Sequence, residues 1–227
     1  MSIADNLKTV LDRIGSAALK AGRDPAAVRL VAVSKTKAAA SVNEAARAGQ
    51  RLFGENYVQE LVAKAKEVAE QVEWHFIGHL QSNKVRQIVG LVTMIHSVDR
   101  LSLAEEIDRQ WGKLGLCCDI LIEVNIAGEE SKSGTTAREV SELVRRVSLL
   151  PHVRIRGIMT MPPFFDDPEG ARPYFRELRR LAEEIAAEKI PGVEMAELSM
   201  GMSGDFEAAI AEGATIVRVG TAIFGER

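Results

Sequence analysis

Short apolar runs and helix-length amphipathic stretches alternate along almost the whole chain, and this restricts the fold more than any single motif does. Leu30-Val31-Ala32-Val33-Ser34-Lys35 is the first apolar run, and further runs cover 52–56, 73–79, 94–99, 119–125, 154–161, 194–200 and 216–224. The first run lacks polar alternation, as a strand buried on both faces does, and the others are further strand candidates. Most are separated by helical stretches at 41–48, 58–71, 101–111, 136–149, 168–187 and 204–212. Alternation of this kind predicts parallel strands joined by crossover helices, and eight units in 227 residues favour closure into a single α/β domain, a (β/α)8 TIM-type barrel over 1–227. Ile3, Leu7, Val10, Leu11, Ile14 and Ala18 recur at helical spacing, so an extra N-terminal helix covers the remaining flank. An open doubly wound sheet is the rival, but no Gly-x-Gly-x-x-Gly follows the first run.

A formal net charge of −3 argues against a general nucleic-acid binder, which needs a basic surface to displace counterions from phosphates. The segment from Met1 to Gly22 has no continuous apolar stretch of the secretory kind, and no run is long enough to cross a bilayer. A cytoplasmic protein without membrane contact is expected. Cys117 and Cys118 are adjacent, so on a strand they point to opposite faces and frame neither a disulfide nor a metal site. His75 and His79 on one strand are separated by roughly 13 Å and cannot chelate one ion, so no metal is expected and His75 reads as an interior histidine.

Barrels of this kind carry their chemistry at the carboxyl ends of the strands. That rule selects Lys35, Asn56, His79, Asp99, Asn125, Met161, Ser199 and Arg218. Lys35 shares strand parity with Val31 and Val33; if those fill the interior, its amine points into the mouth, where partial desolvation favours the neutral form that attacks carbonyls. The plain alternative is a strand-end lysine reaching outward, as Lys37 is expected to do. The segments Ser199-Met200-Gly201-Met202-Ser203-Gly204 and Val219-Gly220-Thr221 place glycines and hydroxyls in the loops after strands seven and eight, where barrels often bind phosphate. Arg218 suits a carboxylate, a phosphate or a ring nitrogen, or else an internal ion pair with Glu123 or Glu197. Lys84 and Arg86 read as a solvated face at the start of a helix.

Five collinear segments then carry a resemblance: Val33-Ser34-Lys35-Thr36, Phe53-Gly54-Glu55-Asn56-Tyr57, the run from Trp74 to Lys84, Ser199-Met200-Gly201-Met202-Ser203, and the run from Val217 to Gly225. Together they resemble the pyridoxal phosphate homeostasis protein family, over nearly the whole chain. The resemblance implies a barrel similar to the N-terminal domain of alanine racemase, a fold type III protein, with pyridoxal 5'-phosphate held as an aldimine on Lys35. It implies that Ser199, Met200, Ser203, Gly204, Gly220 and Thr221 surround the phosphate, that Arg218 faces the pyridine nitrogen and that Asn56 lies near the ring. His79 and Met161 complete the expected binding set, as mouth residues. Only Gly225-Glu226-Arg227 follows the last strand, so the second domain that supplies racemases with an opposing tyrosine is not expected, and Tyr57 and Tyr174 are not at comparable places. The implied role is a cofactor carrier, monomeric, in transient contact with recipient enzymes and with no catalytic residues of its own. The alternatives are a racemase or decarboxylase working through the same cofactor, and a sugar-phosphate barrel enzyme forming an imine on Lys35 with its substrate.

Overall fold

The computed structural model describes residues 2–129 and 132–226. The chain opens with helix α1 (Ile3–Lys20), whose first turn is closed by a reciprocal pair: the Asp5 amide donates to Ser2 Oγ and the Ser2 amide to the Asp5 carboxylate, both at 3.1 Å. Leu7, Val10, Ile14 and Ala18 form its buried stripe. There follow β1 (Arg29–Val33), α2 (Ala39–Arg47), β2 (Leu52–Glu55), α3 (Val58–Glu67), β3 (Glu73–Phe76), a 3-10 turn at Ser82–Gln87, β4 (Met94–Val98), α4 (Leu101–Gly112) and β5 (Cys118–Asn125). The second half contains β6 (Thr135–Thr136), α5 (Val140–Val147), β7 (Val153–Met159), a 3-10 turn at Pro168–Ala171, α6 (Arg172–Ala187), β8 (Val193–Ser199), α7 (Phe206–Ala211), β9 (Ile216–Val219) and α8 (Thr221–Phe224).

The sheet order is β4-β3-β2-β1-β9-β8-β7-β5-β6, every pairing is parallel, and β4 also pairs with β5. That last pairing closes eight strands into a barrel and leaves β6 as a short appendage on β5. Two apolar layers result. Leu30, Ala32, Phe53, Phe76, Ile120, Ile158 and Val217 face the helices, whereas Val31, Met94, Leu121, Met159 and Ile216 fill the interior. The division follows strand parity: Val31 lies inside while Leu30 and Ala32 lie outside. Helix α1 packs against α2, α7 and α8, and Asn6 Nδ2 donates to the Ile223 carbonyl at 3.0 Å, so the flank expected for it is the one it covers.

All eight expected runs coincide with barrel strands, but the ends differ. The last strand stops at Val219, and Thr221–Phe224 is a helical turn whose Ile223 and Phe224 amides both donate to the Gly220 carbonyl at 2.9 Å. Residue 136 begins no helix: Thr135 and Thr136 run beside Val124 and Asn125, whose side-chain amide donates to the Glu129 and Lys132 carbonyls at 2.8 and 3.4 Å. Lys84 and Arg86 sit in a 3-10 turn. Lys37 lies at the surface, half-exposed, where its ammonium donates to the carbonyls of Gly225 and Glu226 at 3.1 and 2.7 Å. Among the described residues no helix is long and apolar enough to cross a membrane.

Candidate functional site

At the carboxyl end of the barrel, strand ends and loops enclose a cavity of about 240 Å³. Lys35, Asn56, Met161, Ser203, Gly204, Arg218, Gly220 and Thr221 line it, with Val33, Ile77 and the aromatic rings of Phe164 and Phe165 among the apolar walls. Lys35 itself lies two residues beyond β1, in a bend, and keeps the parity of Val31 and Val33. His79 stands apart: it lines an adjoining cavity of about 230 Å³ with Glu123, Asn125, Lys132 and Ser133, and its ring nitrogen is 3.1 Å from Ser133 Oγ. Asn56, Ile77 and Met161 border both spaces. Neither tyrosine lines the main cavity; Tyr174 packs on Phe165 with ring centroids 5.7 Å apart, and Tyr57 is exposed.

Two expected residues lie beneath this lining. Ser199 is wholly buried, with its hydroxyl in the barrel interior, and Met200 is buried in the layer facing the helices, its amide donating to the Ile216 carbonyl at 3.1 Å. Ser199 ends the strand on which the lining loop is mounted, and Met200 follows it directly. That loop begins at Gly201, whose φ of +91° suits glycine; a Cβ there would lie 2.6 Å from Ala209 Cβ and 2.9 Å from Phe206 Cα. The close approach brings Ser203 and Gly204 over the cavity, and the Met202 amide is tied to Asp205 Oδ1 at 2.6 Å. Opposite, Gly220 donates weakly to Ser203 Oγ at 3.3 Å, and α8 starts at Thr221, two residues ahead of the first amide bonded to the Gly220 carbonyl. Amides, hydroxyls and glycines thus converge on one side of the space.

Arg218 forms part of the floor. Its Nη1 donates to Ser199 Oγ at 2.5 Å and its Nη2 to the Thr160 carbonyl at 3.0 Å. Burial pushes the guanidinium down to about 10, with Glu123 and Asp205 opposing, so it remains charged at neutral pH. The internal ion pair considered above does not form: Glu197 pairs with Arg29 at 2.7 Å, and Glu123 acts on Arg218 only at a distance. Burial, and then the Asp99 charge, raises the Glu123 carboxyl to about 7. Asp99 itself is paired with Arg100 at 2.6 Å.

Below Arg218 lies a polar chain that includes a residue missing from the sequence candidates. Ser199 Oγ is 2.9 Å from His96 Nδ1, and His96 Nε2 is 2.8 Å from His75 Nδ1. Arg218 can only donate, so Ser199 Oγ accepts from it and keeps its own proton available to His96 Nδ1; with that proton so placed, His96 donates from Nε2 to His75. Strand parity with interior Met94 was the available signal for His96. Burial pushes His75 down to about 3, aided by the Arg29 charge, and pushes His96 well below the usual range, with His75, Arg218 and Arg29 adding to it. An unfolded chain takes up these protons near pH 6.5 while the folded one refuses them, so the stability they contribute is complete above 6.5 and is lost as pH falls. For His75 alone the loss reaches about 3 kcal/mol by pH 4. We expect NMR to find both imidazoles neutral from about pH 8 to about pH 5; titration of either in that window would contradict this arrangement.

The family described as alanine racemase, N-terminal domain, matches residues 5–227. The pyridoxal phosphate homeostasis protein of Aquifex aeolicus (strain VF5) is 46% identical over 228 residues, covering 100% of this chain and 99% of the relative. This chain belongs to the pyridoxal phosphate homeostasis protein family. Its counterpart in Escherichia coli (strain K12) is 45% identical over 229 residues, covering 99% of this chain and 97% of the relative. A solved structure of PipY of Synechococcus elongatus PCC7942, with PLP bound, shares 38% identity and a TM-score of 0.85, covering 99% of this chain and 100% of that one. Alanine racemase of Clostridium difficile 630 overlays with a TM-score of 0.72 at 16% identity, covering 98% of this homeostasis-family chain and 57% of the racemase, a likeness of fold alone. One feature of this member's own cavity fits a polar aromatic cofactor: Asn56 Oδ1 is buried without a hydrogen-bond partner among the described residues, on the wall shared by both spaces. A buried acceptor left unpaired costs about 1–3 kcal/mol, which a ligand donor would recover.

Proposed function

We propose that this chain binds pyridoxal 5'-phosphate as a Schiff base on Lys35 and holds it for supply to other enzymes, as a single-domain monomer of the cytoplasm. The observation that carries the reading is the convergence in one cavity of a lysine, a rim of amides and hydroxyls, and a buried arginine. When bound, the cofactor supplies an aldehyde that condenses reversibly with an amine, and a ring that draws electrons from the carbon next to that imine. Lys35 provides the amine. Ser203, Gly204, Gly220 and Thr221 provide donors for a phosphate, the first two on the loop that follows Ser199 and Met200 and the others just after β9. Arg218 stays charged, with two of its nitrogens engaged by Ser199 and Thr160, and donates toward the ring nitrogen. A ring nitrogen that accepts from a guanidinium remains unprotonated, which weakens the electron sink and favours holding the cofactor over amino-acid chemistry. His79, on the neighbouring cavity, and Met161, on the shared wall, border the way in.

The test is to mix the purified chain with pyridoxal 5'-phosphate, reduce with borohydride, digest and map the adduct by mass spectrometry. The expected product is a single modified residue, Lys35, together with transfer of unreduced cofactor to an added apoenzyme. A dominant adduct elsewhere would redraw the site. Turnover of an amino acid at ordinary enzymic rates, lost in Lys35→Ala, would replace the carrier reading with the catalytic one.

A further inference from the structure

Lys35 is flanked by a buried charged cluster that no part of the preceding reading uses. The Lys64 ammonium, on α3, has three N–H donors and three acceptors: the Ser34 carbonyl at 2.7 Å, Glu55 Oε1 at 2.8 Å and Glu60 Oε2 at 3.0 Å. Ser34 Oγ donates to the same Glu55 oxygen at 2.6 Å, and the Thr36 amide donates to the same Glu60 oxygen at 2.7 Å. The residue before Lys35 and the residue after it are therefore both hydrogen-bonded into one three-charge cluster. The Lys64 side chain is 7% exposed and that of Glu55 is fully buried, between barrel and helix. Burial raises the Glu55 carboxyl, with Lys64 and Ser34 opposing. Burial acts upward on Glu60 too, but the Thr36 amide and Lys64 outweigh it and hold that carboxyl below its ordinary range.

Backbone geometry gives a second, independent reason to assign the cluster a task. Thr36 has φ of +65°, a region that β-branched residues avoid and that persists only where the surroundings impose it. The bend it makes is what turns the chain out of β1 immediately after Lys35. We propose that Lys64, Glu55 and Glu60 are positioning residues: they clamp the peptide on both sides of Lys35 and so set where its side chain leaves the main chain toward the cavity. The inference rests on Lys35 being the cofactor lysine. It explains why a lysine two residues from the strand end can be selective over Lys37, which shares its parity and lies two residues further along.

Lys37 supplies an internal comparison, since loosening of this segment should let the two amines compete. The full-length chain, Glu60→Ala, and the paired variant Glu55→Gln/Lys64→Met are each exposed to limiting pyridoxal 5'-phosphate and reduced, and the ratio of Lys35 to Lys37 adducts is read by mass spectrometry. The paired variant removes both buried charges together, so that neither is left unpartnered. The ratio is expected to fall at least about tenfold in both variants, the scale of one charge-assisted hydrogen bond. Amide exchange at Thr36 in the cofactor-free chain is expected to quicken by about tenfold or more in Glu60→Ala. Folded variants that keep the wild-type ratio, or a Thr36 amide that stays equally protected, would overturn the clamp while leaving the role of Lys35 standing. A wild-type chain with no Lys35 adduct would overturn both.

Discussion

Lys35→Ala is expected to yield a folded protein that forms no reducible adduct in its cavity and lacks the absorbance of a lysine-bound imine. The loss should be complete, because the reaction needs an amine inside the space and Lys35 is the lysine that lines it. Lys37 cannot substitute readily: its ammonium is spent on the Gly225 and Glu226 carbonyls. Residual binding should persist, since Ser203, Gly204, Gly220, Thr221 and Arg218 are untouched, and phosphate donors act without the covalent bond. The fold should hardly respond. Lys35 is half-buried, and the bend around it is tied by Ser34 and Thr36, so the cofactor-free variant should keep the wild-type fold. Absorbance, mass spectrometry after reduction and a denaturant titration measure the three parts. Retention of a Lys35-like adduct on another residue would mean that the cavity, and not this amine, sets the chemistry.

Gly157→Ala is expected to have the largest effect on stability of any single methyl added to the barrel. Gly157 sits in β7 with φ of +157°, and a Cβ on it would stand 1.9 Å from the Glu197 carbonyl oxygen and 2.7 Å from its carbon. Both obstacles are backbone of β8, the strand that pairs with Gly157 at Glu197, so no side chain can swing away. Overpacking costs about 1–3 kcal/mol and enforced backbone strain a similar amount. Their sum of about 4 kcal/mol is a large part of a domain's stability, so little soluble protein is expected. The damage would also reach the site, because Thr160 follows this strand and its carbonyl holds Arg218 Nη2. A variant with a wild-type melting curve would show that β7 and β8 can part without loss.

The barrel was legible in the sequence because strand-length segments rich in apolar residues recur between helical stripes, as strands covered by helices outside and packed side chains inside require. Leu30–Val33 prints that pattern as a continuous apolar run, whereas β7 and β8 each carry two charged residues. Ends were less legible: in 216–224 only Arg218, Gly220 and Thr221 interrupt the apolar residues, and the Gly220 carbonyl, capturing two amides, converts the second half into a helical turn. The cavity-lining residues followed from the rule that strand ends meet at one mouth, joined to the family resemblance. Ser199 ends β8 and Met200 follows it, and both are buried beneath the cavity lining, a depth that the strand-end rule does not reveal. His96 had the parity of interior Met94 yet carried no motif.

The order of strands and helices, the mouth at which Lys35, Asn56, Arg218 and Thr221 meet, and the apolar layers all followed from local pattern, because periodicity and parity are properties of consecutive residues. The tertiary structure alone decided which polar groups touch. Lys64 reads as one more charge on an amphipathic helix, and Glu55 as a strand end, until the β2 to α3 turn brings them within 2.8 Å of each other and beside Ser34, 30 positions from Lys64. Contacts of that reach depend on closure of the barrel and on the angle at which each helix returns, and no window of neighbouring residues contains either.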